Sequence, residues 1–175
     1  MKLYEKNNTT INKNIEEIFD ILFSFTSLTP ILTDMEISKK GDWKVNKGII
    51  NRKDIFTLNI KNIPNEIIDT FVDNKAIQLE IRTTVIIKRD DYYKVKLDYK
   101  ILNIKEQFYT LLNTDVLIKL FAIAEITKIN DNKSVVDIKA HITSYIMPLM
   151  NDMIELFSYN YCDICVNKLL DALQK

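Results

Sequence analysis

The stretch IQLEIRTTVIIKRDDYYKVKLDYKI, residues 77–101, decides the fold. Its odd positions hold Ile77, Leu79, Ile81, Thr83, Val85 and Ile87, while Gln78, Glu80, Arg82 and Thr84 fill most of the even ones. After a turn at Arg89, Asp90 and Asp91 the alternation resumes: Tyr93, Val95, Leu97, Tyr99 and Ile101 stand against Lys94, Lys96, Asp98 and Lys100. Side chains of an extended chain point alternately to opposite faces, so this pattern predicts a hairpin with one face buried and one in water.

Downstream, residues 121–129 and 134–146 repeat the theme around a turn at Asn130, Asp131, Asn132 and Lys133. Val136, Ile138, Ala140, Ile142 and Ile146 alternate with Asp137, Lys139, His141 and Thr143. Residues 148–174 predict the longest helix, with Pro148 suited to its first turn. Met150, Met153, Ile154, Phe157, Tyr161, Ile164, Cys165 and Ala172 give its apolar stripe, and Asn151, Asp152, Glu155, Asp163 and Lys168 its polar side.

Upstream, residues 2–11 read as a short strand. A helix follows, capped by Asn12 or Asn14, with Glu16 and Glu17 in its first turn and a stripe of Ile15, Ile18, Phe19 and Leu22. Residues 27–32, broken by Pro30, suggest a second short helix or a turn. Residues 35–38 and 43–50 read as strands around Lys40, Gly41 and Asp42, and residues 52–60 continue the sheet. Residues 66–72 read as one helical turn or an irregular strand.

Composition excludes several classes of function. The 175 residues carry 24 basic and 24 acidic side chains, so the footprint of a phosphate-tracking nucleic-acid binder is missing. Two Gly do not build a glycine-rich phosphate cradle, and three Pro do not build a proline-rich linker. Apolar residues make up 47%, which is globular, and the length fits one domain over residues 1–175. The 28 Ile, 21 Lys and 17 Asn reflect adenine- and thymine-rich codons. No apolar run approaches the about 18 residues of a membrane span. The polar start MKLYEKNNTTINKN lacks a signal or transit pattern, so an intracellular, cytoplasmic location is expected. Cys162 and Cys165 form one C-x-x-C inside a helical run with no second pair, so reduced, metal-free thiols are expected.

The order strand, short helix or two, long antiparallel run, long C-terminal helix predicts an α+β fold in which a curved sheet grips that last helix. This layout resembles the START-like helix-grip superfamily, which includes START lipid-transfer domains and the birch-pollen-allergen group. Within it, MKLYE at the first strand, residues 62–68 (NIPNEII), the run Leu79 to Asn103 ending KLDYKILN, and Ser144-Tyr145 followed by Leu149-Met150 and Ile154 resemble the PRELI family of phospholipid-transfer proteins. Phe157 stands where that family carries an Asn near the lipid phosphate, and residues 23–26 lack its basic residue. The resemblance implies a phospholipid or other hydrophobic ligand carried between sheet and C-terminal helix, transient membrane contact, and the mitochondrial intermembrane space. No cofactor, metal or nucleic acid is expected.

Candidate ligand-binding residues are Trp43, Thr83, Tyr93, Leu97, Tyr99, Ser144, Met153, Phe157 and Tyr161. For each the plain alternative is core packing. Thr83 and Ser144 are polar positions on apolar faces, and buried Tyr hydroxyls need partners, as a cavity with a few convergent polar groups would provide. Ile67, Ile68 and Phe71 form a candidate lid, since Pro64 and Asn65 interrupt two alternating regions. His141, on the outward phase beside Lys139, has no nucleophile in a recognisable motif, and no carboxylate pair suits acid–base work. A non-enzymatic binding protein is therefore expected. The rivals are an interaction protein with a filled core, needing a protein partner, and a cyclase- or hydratase-like enzyme using the same cavity.

Overall fold

In the computed structural model, described for residues 1–24, 34–59, 65–73, 76–112, 118–145 and 148–175, all strands join one antiparallel sheet. The elements are β1 (Lys2–Ile11), α1 (Ile15–Phe23), β2 (Met35–Lys39), β3 (Lys44–Asn46), β4 (Ile49–Leu58), α2 (Asn65–Phe71), β5 (Ile77–Arg89), β6 (Tyr92–Ile101), α3 (Glu106–Leu112), β7 (Ile118–Asn130), β8 (Lys133–Ser144) and α4 (Pro148–Gln174). The strand order is β1-β8-β7-β6-β5-β4-β2, with β3 paired to β4. The sheet is curved and α4 packs across β8 and β1, which is the helix-grip fold.

The two hairpins set the frame. In β5–β6, Thr83 pairs with Leu97 and Val85 with Val95, and a bulge between Val85 and Ile87 leaves Ile86 on the outside. In β7–β8, Ala122 pairs with Ala140 and Ala124 with Ile138. The concave face carries Val95, Ile126, Val136 and Ile142, all fully buried, and α4 adds Val166, Leu170 and Leu173. Helix α1 starts at Asn14: its side chain accepts from the Glu17 amide at 2.9 Å, and Glu17 accepts from the Asn14 amide at 3.3 Å. Ile15, Ile18, Leu22 and Phe23 then bury one face against the same core.

Three expectations change. The strand expected over residues 43–50 is broken by a turn at Lys47 (φ 50°) and Gly48 (φ 77°), a pair of left-handed residues suited to a two-residue hairpin loop. Of the two readings for residues 66–72 the helical one holds, over Asn65–Phe71, while α3 adds a helix that the alternation did not signal. On α4, Met153 (64% exposed) and Ile164 point to solvent, whereas Glu155 is buried. The helix packs on β8, β1 and α1 over different parts of its length, so no single periodic stripe serves all of it. The expected element at residues 27–32 falls outside the described residues, as do residues 60–64 and Ile146.

Candidate functional site

Strand β4 brings the least expected side chains together. Its even residues face inward, which buries Arg52 and Asp54 beside Phe56 and Leu58. Two charges cannot be buried cheaply unless paired and hydrogen-bonded. Here Arg52 Nε donates to Asp54 Oδ2 at 2.9 Å and its Nη2 donates to the Phe23 carbonyl at 2.7 Å. The other oxygen, Asp54 Oδ1, accepts from the Gly41 amide at 2.8 Å. A Cβ at Gly41 would sit 1.9 Å from the Lys53 carbonyl oxygen, so this close approach requires glycine.

Above the pair an open cleft of about 330 Å³ lies between the end of α1 and the β2–β4 region. Phe19, Phe23 and Trp43 give it aromatic walls, and Asp20, Ser24, Lys40, Asp42 and Arg52 give it polar groups. The Arg52 guanidinium stacks 4.5 Å from the Trp43 ring centroid, and Phe19 lies over Trp43 at 6.3 Å. On its other side Phe19 meets Tyr93 edge-on at 5.4 Å. The Tyr93 hydroxyl donates to Glu16; burial and that carboxylate push its pKa up.

A second polar group lies deeper, between sheet and helix. Arg52, Thr83, Leu97, Ala122, Ala140 and Tyr4 form one row across the sheet, and Asp54, Ile81, Tyr99, Leu120 and Ile142 the next. The alanines leave room for α4, whose Tyr159 and Cys162 pack on that row. Tyr4 meets Tyr159 edge-on at 5.4 Å and donates to Asp163 at 3.1 Å. Leu97, Tyr99 and Tyr161 pack with Met35, Phe56, Leu58 and Ile81. The Tyr161 hydroxyl bonds Cys165, and Phe157 stacks on Tyr161 at 6.3 Å. Burial pushes the Cys162 thiol up to about 12, with Cys165 adding to it, and burial pushes Cys165 up to about 11. Tyr99 is raised by burial and then by both thiols. Both cysteines are free, and no cluster of three metal-ligating side chains occurs among the described residues.

The candidate residues therefore do not gather in one place. Trp43 lines the cleft, with Tyr93 behind it. Thr83, Leu97, Tyr99, Phe157 and Tyr161 face the sheet–helix interior, as the alternation predicts. Ser144 is engaged by α4: its amide donates to Glu155 at 3.0 Å and its hydroxyl bonds Asn151 at 3.0 Å, which ties the end of β8 to the helix. Met153 is corrected to the surface. Phe71 is corrected from lid to anchor. It packs 5.0 Å from Phe108, its carbonyl accepts from Lys105 at 2.9 Å, and Val72 bridges to Ile104. The side chains of Ile67 and Ile68, like that of Met150, lie outside the description.

Sequence reasoning missed Arg52, Asp54, Gly41 and the Phe19 wall. The signal was present: Arg52 and Asp54 share a phase with Phe56 and Leu58, and Arg52 is one of three arginines.

No protein-family model matches the sequence, and neither does any curated protein sequence. Solved structures do share the fold. The Zhui aromatase/cyclase from Streptomyces sp. R1128 superposes with a TM-score of 0.58 at 8% identity, covering 98% of this chain and 93% of its own. A protein from Thermus thermophilus gives 0.57 at 7% identity, covering 98% and 97%. Truncated norcoclaurine synthase from Thalictrum flavum gives 0.53 at 8%, covering 99% and 94%. Two of these three are enzymes. That overturns the expectation of a non-enzyme drawn from missing motifs, because the same fold carries catalysis at identities this low.

Proposed function

We propose that the protein binds a small apolar molecule with a ring or flat segment and a polar end, taken up at the Trp43 cleft. The observation that carries this reading is the combination of three aromatic walls with a buried, hydrogen-bonded Arg52–Asp54 base in a cleft of about 330 Å³. Ligand sites are concave and oriented by a few fixed polar groups, and the volume falls at the lower end of their roughly 300–1,000 Å³ range; this cleft is open and lined by polar as well as aromatic groups, which suits the polar end of such a ligand. The neighbours' names, an aromatase/cyclase and a norcoclaurine synthase, support a small-molecule ligand in this fold. The resemblance to phospholipid-transfer proteins extends the class to an acyl chain entering the interior between sheet and α4, past Thr83, Leu97, Tyr99 and Tyr161.

Trp43 is the only tryptophan, so its emission reports on the cleft alone. Titration with anilinonaphthalene sulfonate should give saturable quenching of Trp43 with energy transfer to the probe. Probe emission that rises without quenching Trp43, or no binding at all, would sink the reading. Native mass spectrometry of freshly purified protein then separates a ring compound from a phospholipid.

A further inference from the structure

The β3–β4 hairpin is built against the usual logic of a sheet edge. Its tip exposes Val45 (72%) and Ile49 (52%), next to Trp43 (40%). Val45 pairs with Ile50 and Asn46 with Ile49, so Val45 and Ile49 lie on opposite faces of the ribbon. One apolar face would suit packing on the body of the protein; apolar side chains on both faces suit immersion of the tip. The same segment concentrates charge in a chain that has none overall. Lys39, Lys40, Lys44 and Lys47 stand against Asp42 alone between residues 39 and 49. Among the described residues Lys44 and Lys47 form no ion pair, and both are exposed. The rigid two-residue turn at Lys47 and Gly48 holds the tip out.

We infer that this hairpin docks on an anionic lipid surface, Val45 and Ile49 entering the interface and the lysines meeting the headgroups. Apolar side chains ringed by Lys are the chemistry of interfacial binding, and each Lys adds attraction that salt screens. The docking stands apart from the ligand proposed for the cleft, although it would bring the Trp43 rim to the bilayer.

The test uses the full chain with vesicles of phosphatidylcholine alone and of phosphatidylcholine with phosphatidylglycerol. Cosedimentation with the anionic vesicles is expected, together with a blue shift of Trp43 emission and loss of binding at high salt. The double variant Val45→Ser/Ile49→Ser and the double variant Lys44→Gln/Lys47→Gln should each keep the melting temperature and weaken binding by at least about tenfold. No binding to anionic vesicles overturns the inference and leaves the tip to a protein partner. Equal binding by wild type and both variants also overturns it, since another surface would then be responsible. If a variant loses its melting transition, lysine-only and apolar-only single variants replace it with the same two outcomes.

Discussion

The two ends of the sheet are made differently. Around β7, β8 and the last turns of α4 the interior is closed and mainly apolar: Ile126, Val136, Ile142 and Leu173 are fully buried, with Ser134 and Ser144 the polar exceptions on β8. Around β4 and β5 the same concave face buries Arg52, Asp54 and Thr83 and then opens into a cleft under Trp43. A region built only for stability would not need the second arrangement. A buried ion pair is often no more stable than apolar side chains of similar volume, whereas breaking it is costly. The closed end holds the fold together, and the polar end is where the proposed ligand site lies.

The largest break in that contrast is Asp54→Ala. It strands the Arg52 guanidinium in a dry site and frees the Gly41 amide, so a loss of about 3–5 kcal/mol is expected from urea unfolding. The paired change Arg52→Met/Asp54→Leu should recover most of that loss while abolishing probe binding at the cleft. A double variant as unstable as the single would mean that the pair itself stabilises the fold, and the contrast between the two ends would collapse.

The thiols under α4 sharpen the boundary between the ends. With Cys165 at about 11 rather than the ordinary 9.0, the folded protein carries about a hundredth of the usual thiolate at neutral pH. Alkylation by iodoacetamide should therefore be at least about 100-fold slower in the native than in the urea-unfolded protein, with two thiols counted after unfolding. The sign follows for stability as well. Folded-state pKa values above 9.0 contribute stability that is fully present below pH 9 and is lost as pH rises through about 11 to about 12. Fast native alkylation, or a melting temperature flat across that range, would place the C-x-x-C in solvent.

The closed end was legible in the sequence because β7 and β8 alternate with a period of two, and one phase of each strand has one environment. The same alternation over residues 77–101 gives the inward set Thr83, Tyr93, Leu97 and Tyr99, which reaches across to the polar end. The polar end was not legible for a reason of the same kind. Arg52 and Asp54 sit on the inward phase of β4, but a charged pair reads as a solvated face unless its partners are known, and those come from Phe23 and Gly41, elements apart in sequence. Met153 failed because α4 changes environment along its length, while Ser144, inward-facing on β8 as expected, is engaged by Asn151 and Glu155 of that helix. Glu155 is buried there by contact with the Ser144 amide, which no helical periodicity encodes.

Smaller changes should still tell the ends apart. Ile126→Val removes one methylene from a fully buried site and should cost about 0.5–1.5 kcal/mol. The same change at Ile49, half exposed on the hairpin tip, should stay within about 0.5 kcal/mol. Equal costs, measured by urea unfolding of the two variants in parallel, would show that the tip is packed.

Trp43→Leu should have the smallest effect on folding among the cleft substitutions. The ring is 40% exposed, and its main contact is the Arg52 guanidinium 4.5 Å from its centroid. A cation–π contact at a partly solvated site is worth about 0.5–1 kcal/mol, and Leu retains part of the packing on Phe19. A change of less than about 1 kcal/mol in urea unfolding is expected, because the bonds from Arg52 to Asp54 and Phe23, and from Gly41 to Asp54, do not involve the ring. Affinity for anilinonaphthalene sulfonate, read from the probe's own emission, should fall far more than stability does. If the substitution instead costs several kcal/mol, Trp43 seals the ion pair from water as a core residue would, and the cleft above it is part of the packing rather than a place for a ligand.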